Sequence, residues 1–589
     1  MVSVQPRSWP KPAQVIVAAV RAKYARRQAP LAVQVRDRLG EVFPDAEFES
    51  AYAGRGRPGW SPGRLALVSV LQMAEGLTDR QAAEAVRERL SWQYALGLDL
   101  DDPGFDHTVL SEFRARVVEH GLEERVLDLL LARLAEEGLV GPGGKQRTDS
   151  THVVAAVRDL NRLELAGESV RTCLEALAAA APGWLAGVID VAGWAQRYGA
   201  RIDSWRLPAS EAKREELALA YARDGYALVQ ACYRADAPAW LCEVEAVGVL
   251  RVVLLQNYTR TVTEAGTEVA RREAERDGLP PGRFRLTSPY DTDARWGVKQ
   301  DTFWNGYKVH LTETCDGDDT AGGDGPRGSR PETAPAGAGA GKARRPPRPN
   351  LITNVATTDA TVPDQAMTEA VHHALGRRGL LPAEHYVDSG YPSAELVADA
   401  ACHDGIALIS PMLLDTSRQA RAGTGLHAAA FHIDWDRKQV TCPQGQLSSS
   451  WSPATQRGTE ATVVKFAAST CGPCPVRDQC TTAARGGRQL TLKPRALHET
   501  LQANRAEQHT TAWQARYAIR AGVEGTIHQA IAVTGTRNAR YKGLAKTHLE
   551  HVCSAVALNL IRLDAWWNGH PLDRRRTSHL ARLQLALAA

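Results

Sequence analysis

The sequence predicts an α/β protein with an all-helical N-terminal domain, a helical insertion and a small β-rich insertion that contains cysteines. The first observation is the alternation of strand-like and helical segments between residues 286 and 416, which is typical of an α/β sheet. The second is the helical periodicity that fills residues 61–142. The third is a group of four cysteines among short β-like segments in residues 417–490.

The composition is that of an ordinary globular protein. The 589 residues are 44% hydrophobic and 23% charged, which is enough to build several buried cores. No apolar run is long enough to span a membrane, and residues 15–20 are too short for a signal peptide, so we expect a cytoplasmic protein. The net charge is only +4, but Lys and Arg are in clear excess beyond residue 490. A basic segment suits a polyanionic partner, and a solvated surface is the alternative.

The N-terminal part is predicted to be a basic arm and loop at residues 1–60, followed by helices at residues 61–142. Ser61 and Pro62 provide an N-cap and a proline at the first position of a helix. After Gly76, the segment around Thr78 caps a second helix. Two helices joined by a short glycine-containing turn are typical of a helix-turn-helix, and a plain pair of packed helices fits the pattern equally well.

The α/β domain begins after the Gly-rich break at residues 141–144 with a predicted strand at residues 145–154, which carries Asp149 near its middle. Residues 155–285 are predicted to be a helical insertion, with one of its helices at residues 264–277. The sheet continues in residues 286–416, where Asp388 lies at the end of a strand predicted at residues 384–391. Residues 315–349 form a low-complexity segment that predicts a disordered loop.

The C-terminal part, residues 491–567, is predicted to be helical and to be followed by a basic tail at residues 568–589. As a continuous helix, residues 515–529 place Tyr517, Arg520, Glu524 and His528 on one face. A carboxylate flanked by a guanidinium and a phenol can hold a metal ion near a phosphate. A solvated face with an ordinary Arg–Glu pair is the alternative. A long amphipathic helix is predicted at residues 545–567.

The cysteine cluster consists of Cys442, Cys471, Cys474 and Cys480. One Cys-x2-Cys pair with two outlying cysteines, in a reducing cytosol, predicts a tetrahedral structural Zn²⁺ site. Free buried cysteines are the alternative.

Three short motifs together resemble the DDE transposases of bacterial insertion sequences. They are Thr148-Asp149-Ser150-Thr151, the segment Val-Asp-Ser-Gly-Tyr at residues 387–391, and Tyr517-x2-Arg520-x3-Glu524. The third motif is the Y-(2)-R-(3)-E signature of that group. The resemblance covers the chain from about residue 60 to residue 567. It implies an RNase H-like catalytic core, a mixed sheet flanked by helices, built from residues 145–154, 286–416 and 491–567.

The resemblance also implies a set of site residues. Asp149, Asp388 and Glu524 would be catalytic and would hold two Mg²⁺ or Mn²⁺ ions, with Asp149 as the bridging ligand. Tyr517 and Arg520 would bind DNA phosphates. Many relatives carry a lysine seven residues after the glutamate, whereas this chain has Ile531 there. Arg537 or Arg540 would then supply that contact with DNA.

The function implied by the resemblance is that of a transposase. It would bind the terminal inverted repeats of its element through residues 61–142, cut double-stranded DNA and transfer the freed 3′ end to a target. A homodimer would pair the two ends in the bacterial cytoplasm, associated with the nucleoid. Two alternatives stay open: a metal-dependent DNA nuclease without strand transfer, and a non-catalytic DNA-binding regulator derived from a transposase.

Overall fold

The computed structural model describes residues 2–202, 207–264, 266–299, 301–316, 348–456 and 458–570. Most of the loop predicted at residues 315–349 and of the tail predicted at residues 568–589 lies outside these ranges. The described part of the chain is a mixed α/β structure, which confirms the predicted α/β class. Within it, no helix is both long enough and apolar enough to cross a membrane.

The segment predicted to be an arm contains helices that pack into hydrophobic cores. Helices α1 (Gln14–Tyr24) and α2 (Leu31–Leu39) precede a 3₁₀ helix (Asp45–Ala51), and the short strands β1 (Val2–Ser3) and β2 (Arg57–Pro58) pair beside them. The prediction of an arm was therefore wrong. Ala32, Val35 and Leu39 lie on one helical face and are buried, as are Phe43 and Phe48. Burial of this apolar face outweighs the basic composition that suggested an exposed arm.

Five helices fill residues 61–142, and the first two begin where their capping residues predict. They are α3 (Pro62–Glu75), α4 (Asp79–Glu88), α5 (Leu90–Leu96), α6 (Thr108–Glu119) and α7 (Arg125–Glu136). The Ser61 hydroxyl accepts the N–H of Arg64, and Thr78 and Gln81 form a reciprocal capping box. Gly76 ends α3 in the left-handed conformation, which a glycine adopts without steric cost. A short turn thus joins α3 to α4.

The insertion between the first two strands of the central sheet is mostly helical. After β3 (Lys145–Val154) it contains α8 (Arg162–Ala180), α9 (Pro182–Val188), α10 (Val191–Tyr198), α11 (Glu211–Cys232), α12 (Glu245–Asn257), β4 (Tyr258–Thr263), β5 (Gly266–Arg271) and α13 (Ala274–Asp277). The helix predicted at residues 264–277 was wrong, because β4 and β5 form an antiparallel hairpin there. β-branched residues such as Val262 and Val269 favour strands, and Gly266 at φ +129° permits the turn.

The central sheet has six strands. The remaining strands are β6 (Arg295–Lys299), β7 (Thr302–Thr314), β8 (Ile352–Asp359), β9 (Glu384–Tyr386) and β10 (Ala407–Ile409), and the helices between them are α14 (Met367–Arg377) and α15 (Ala394–Asp399). The strand order is β10-β9-β3-β7-β6, with β8 also paired to β7. β9 runs parallel to β3 and to β10, whereas β7 is antiparallel to β3, β6 and β8.

The cysteine-containing insertion is rich in short strands, as predicted. It contains α16 (Arg418–Ala422), β11 (His432–Asp434), β12 (Gln439–Thr441), β13 (Ser450–Gln456), β14 (Thr459–Lys465), α17 (Ala468–Cys471), α18 (Arg477–Cys480) and β15 (Gln489–Leu492). β11 and β12 form a hairpin, and β13, β14 and β15 form an antiparallel sheet. The insertion has its own small core, in which Phe431 and Phe466 contact each other.

The C-terminal helices are α19 (Arg495–Glu507), α20 (Thr511–Tyr517), α21 (Gly522–Thr534) and α22 (Leu544–Trp567). The predicted amphipathic helix corresponds to α22, whose inward residues Leu549, Val552 and Leu563 are buried as expected. α22 packs against β8, α3 and α7. One hydrophobic core therefore runs from the N-terminal helices through α22 to the central sheet.

Candidate active site

The central sheet brings the two predicted aspartates to the same level. In the pairing of β3 with β9, Arg147 lies opposite Tyr386. Continuing this parallel register by two residues places Asp149 beside Asp388, which follows the end of β9. Asp149 Oδ1 accepts the N–H of Ser150 at 2.8 Å, and Asp388 Oδ1 accepts the N–H of Gly390 at 2.8 Å. These local hydrogen bonds orient both carboxyl groups, one on the central strand β3 and the other just beyond the end of β9.

The helix that carries Glu524 is not continuous with the preceding one. A 3₁₀ turn (Ala518–Ala521) separates α20 from α21, so the single helical face expected at residues 515–529 is interrupted. Arg147 Nη1 donates to the Ile519 carbonyl within this turn at 2.6 Å, which draws that carbonyl toward β3. Arg520 lies in the turn and Glu524 in the first turn of α21, while His528 is exposed.

The Arg520 guanidinium contacts all three predicted carboxylates. Its Nη2 lies 2.8 Å from Asp149 Oδ2 and 3.8 Å from Asp388 Oδ2. Its Nη1 donates to Glu524 Oε1 at 2.7 Å. The side chain of Asp149 is 10% exposed and that of Glu524 is 64% exposed, so the cluster runs from the sheet to solvent. Two strands and a helix thus bring acids from three distant parts of the chain to one cation.

The pKa values reflect this crowding of like charges. Burial raises the pKa of Asp149, and Asp388 raises it further, while Arg520 and the Ser150 N–H oppose the shift. Burial lowers the pKa of Arg520, but Asp149, Tyr517, Asp388 and Glu524 together raise it above its usual value. A partly desolvated set of carboxylates therefore depends on a positive charge at its centre.

These three acids are suitable ligands for a hard divalent cation, since Mg²⁺ and Mn²⁺ prefer carboxylate oxygens. In the described part of the chain, no group of three or more His, Cys, Asp or Glu side chains is arranged to hold a metal ion as it stands. The position among the carboxylates is taken by the Arg520 guanidinium. The three carboxylates converge on a cation there, so their chemistry suits a divalent metal ion.

The other residues predicted to bind DNA make contacts within the protein. The Tyr517 hydroxyl donates to the Val387 carbonyl at 3.1 Å, and burial raises the pKa of Tyr517 to about 12. Arg537 Nη2 donates to Thr151 Oγ1 at 3.3 Å, and Arg540 Nη1 donates to the Leu77 carbonyl at 2.8 Å. Their predicted contacts with DNA stay predictions.

Ile531 packs against the main hydrophobic core. The lysine position of many relatives is therefore occupied here by an apolar residue that contributes to core packing.

Sequence reasoning missed several charged residues next to the site. Asp364, which follows β8, accepts the Ser150 hydroxyl at 3.0 Å and pairs with Lys308 at 3.1 Å. Behind the carboxylates, Glu313 of β7 is fully buried and pairs with Arg147 and Arg562. From a single sequence, a charged residue in a strand is usually interpreted as a surface residue. Only the alternation along β7 indicated that the Glu313 side chain points inward.

The four predicted zinc ligands lie around one small cavity. Cys442, Cys471, Cys474 and Cys480 line a space of ≈ 30 Å³ together with apolar residues such as Phe431. The N–H of Arg488 approaches Cys471 Sγ at 3.5 Å. Burial raises the pKa of Cys480, with Arg488 opposing the shift and the other three cysteines adding to it. The four cysteines thus line one cavity, but in the described part of the chain their thiols are not arranged to hold a metal ion as they stand.

Two family models match the chain. Residues 441–564 match the family described as "Transposase DDE domain", a range that includes the cysteine cluster, Glu524 and α22. Residues 24–116 match "Transposase domain (DUF772)", which covers α2 to most of α6. No curated protein matches the chain. The two matches lie on either side of β3 and β9, whose aspartates complete the carboxylate cluster, and together they support a DDE transposase of an insertion sequence.

Proposed function

We propose that this transposase binds the terminal inverted repeats of its element as a homodimer and catalyses metal-dependent cleavage and strand transfer of double-stranded DNA. The observation that supports the proposal is the convergence of Asp149, Asp388 and Glu524 on one guanidinium. The catalytic core would be RNase H-like. The central antiparallel pair β3–β7, with β9 and β10 added in parallel beyond β3, supports that assignment.

The carboxylates would act as metal ligands. Asp149, which is the most buried of the three, would hold the two ions together with Asp388 and Glu524. Bound Mg²⁺ or Mn²⁺ supplies the charge that activates the attacking oxygen and neutralises the leaving 3′ oxygen. The 3′-OH freed by cleavage would then be the nucleophile of strand transfer.

Arg520 would change partners when DNA and metal bind. In the structure its guanidinium neutralises the carboxylates, and a divalent cation would take over that role. The guanidinium would then be available to donate two parallel hydrogen bonds to a phosphate. Tyr517, Arg537 and Arg540 lie within the same region of the chain and would contribute further phosphate contacts.

The test is cleavage and joining of a labelled duplex that carries the end of the element, in the presence of Mg²⁺. Asp149→Asn, Asp388→Asn and Glu524→Gln should each abolish cleavage and leave binding of the duplex intact. Asp436→Asn is the matched control. The Asp436 side chain is 88% exposed and belongs to the cysteine-containing insertion, outside the carboxylate cluster. Wild-type cleavage by any of the three variants would remove that residue from the site.

The products also separate the alternatives. Cleavage without a joined product would favour a DNA nuclease that lacks strand transfer. Binding without cleavage by the wild-type protein would favour a regulator that has kept the three acids without using them.

We also propose that Cys442, Cys471, Cys474 and Cys480 hold a structural Zn²⁺ ion. Four thiols around one cavity form a ligand set that suits zinc, and the Arg488 N–H can donate to the Cys471 thiolate. Metal analysis should find stoichiometric zinc in the wild-type protein and in Cys402→Ser, whose exposed cysteine lies outside the cluster. Cys474→Ser should lose the zinc. Wild-type protein without zinc would exclude the site.

A further inference from the structure

We infer that a buried network of Arg147, Glu313, Thr526 and Arg562, called here the Glu313 network, positions Arg520 and Glu524 against Asp149. The inference rests on the proposed function, because it concerns the alignment of the same three carboxylates. Its members are positioning residues, since they act on the site through Ile519 and through helix α21.

The centre of the network is the Glu313 carboxylate of β7, which is fully buried. Its Oε1 accepts Arg147 Nε at 2.7 Å and lies 2.7 Å from Arg147 Nη2. Its Oε2 accepts the Thr526 hydroxyl at 2.5 Å and Arg562 Nη1 at 2.8 Å. One carboxylate therefore joins β3, β7, α21 and α22.

The network contacts the C-terminal helical segment just before Arg520 and just after Glu524. Arg147 lies two residues before Asp149 on β3, and its Nη1 donates to the Ile519 carbonyl, next to Arg520. Thr526 follows Glu524 by two residues, and its hydroxyl also accepts Arg562 Nη2 at 2.6 Å. The strand that carries Asp149 is thus connected directly to the segment that carries Arg520 and Glu524.

The charges in the network make its geometry specific. Burial raises the pKa of Glu313, but Arg562 and Arg147 more than offset it, so the pKa lies below its usual value and the group is ionised. A buried charge that loses a partner is strongly disfavoured. Only arrangements that keep both guanidiniums on Glu313 are therefore stable, and these fix the distance between β3 and α21.

Gly522 shows how closely the network approaches the helix. A Cβ atom at this position would lie 2.1 Å from Arg147 Nη1 and 2.3 Å from Arg147 Cζ, so any side chain would displace the guanidinium. The backbone of Gly522 is ordinary helix, with φ −64°, so alanine is compatible with the backbone itself. Gly525, in the same helix, has open space around the equivalent Cβ position.

These two glycines provide the experiment. Mn²⁺ binding is measured by electron paramagnetic resonance without DNA, and single-turnover cleavage is measured with the labelled end duplex. Gly522→Ala should weaken Mn²⁺ binding and slow cleavage by about 100-fold, as expected when a reacting group is misplaced by about 1 Å. Gly525→Ala should stay close to wild type in both measurements. Binding of the duplex should be unchanged in both variants.

Thr526→Val is the second test, because valine keeps the shape of threonine and removes only the hydroxyl that links Glu313 to Arg562. It should also weaken Mn²⁺ binding, which decides the question if Gly522→Ala fails to fold. A merely structural role would reduce the folded fraction without changing the Mn²⁺ dissociation constant of the protein that remains folded.

Two outcomes would overturn the inference in distinguishable ways. If the wild-type protein cleaves and both Gly522→Ala and Thr526→Val bind Mn²⁺ as the wild type does, the network has no positioning role and the proposed function stands. If the wild-type protein neither binds Mn²⁺ nor cleaves, the proposed function fails and the inference fails with it.

Discussion

Replacing Glu550 with glutamine should stabilise the protein at alkaline pH and have little effect at acidic pH. Glu550 lies in α22 and is 1% exposed. Its Oε2 accepts the Arg540 N–H at 2.8 Å, and its Oε1 has no hydrogen-bond partner in the described part of the chain. Burial raises the pKa of Glu550 to about 7, although Arg540 and Arg114 lower it.

The magnitude follows from this pKa. A rise from 4.5 to about 7 means that ionised Glu550 costs the folded protein about 3 kcal/mol relative to the unfolded chain. Between these two values the folded protein binds a proton that the unfolded chain does not. The stability contributed by the protonated form is therefore complete below about pH 4.5 and is lost as the pH rises through about 7. Glutamine is neutral at every pH and escapes this cost.

The assay is thermal unfolding of the wild-type protein and of Glu550→Gln at pH 5 and at pH 8. The variant should melt roughly 2–3 °C above the wild type at pH 8, where about 3 kcal/mol is recovered, and close to it at pH 5. The other ionisable groups are present in both proteins, so only the difference in melting temperature between the two proteins at each pH is read. An equal difference at the two pH values would refute the reasoning.

Three further substitutions test other parts of the structure. Arg520→Lys should slow Mg²⁺-dependent cleavage by about tenfold or more, because an ammonium cannot replace the charge-assisted contacts of the guanidinium, each of about 1.5–3 kcal/mol; single-turnover cleavage measures this. Leu560→Ala, at a fully buried position of α22, should cost about 2–5 kcal/mol in thermal or urea unfolding, whereas Leu414→Ala, at an exposed position, should cost little. Thr78→Ala should cost about 1 kcal/mol, because it removes the cap on the Gln81 N–H, and Thr78→Ser should restore most of it.

Local patterns in the sequence predicted the parts of the fold that depend on neighbouring residues. The starts of α3 and α4 follow from Ser61 and Thr78, whose hydroxyls cap the helices in the structure. The strands β3 and β8 follow from short β-branched runs between breaks in the chain. The inward face of α22 follows from its apolar spacing. In each case the residues that decide the structure lie within a few positions of one another.

Features that depend on contacts between distant segments could not be predicted in this way. The N-terminal helices are stabilised by the core they share with α22, which the composition of residues 1–60 does not reveal. Glu313 and Arg562 are 249 positions apart, so their pairing leaves no local pattern. The candidate site could be predicted only in part. Short motifs identified the three acids, whereas their convergence depends on the register of β3 with β9.

Arg520 shows why the contacts of a functional residue depend on what occupies the site. The motif suggested a guanidinium that binds a phosphate, whereas the structure places it on Asp149 and Glu524. Three carboxylates that converge in a half-buried site repel one another, and burial already raises the pKa of Asp149. The Arg520 guanidinium lies among these carboxylates and reduces their repulsion. The two sets of contacts are therefore compatible. The charge that attracts Arg520 to the acids is the charge that the proposed divalent ion would satisfy, and on that proposal Arg520 would become available for its proposed contact with DNA.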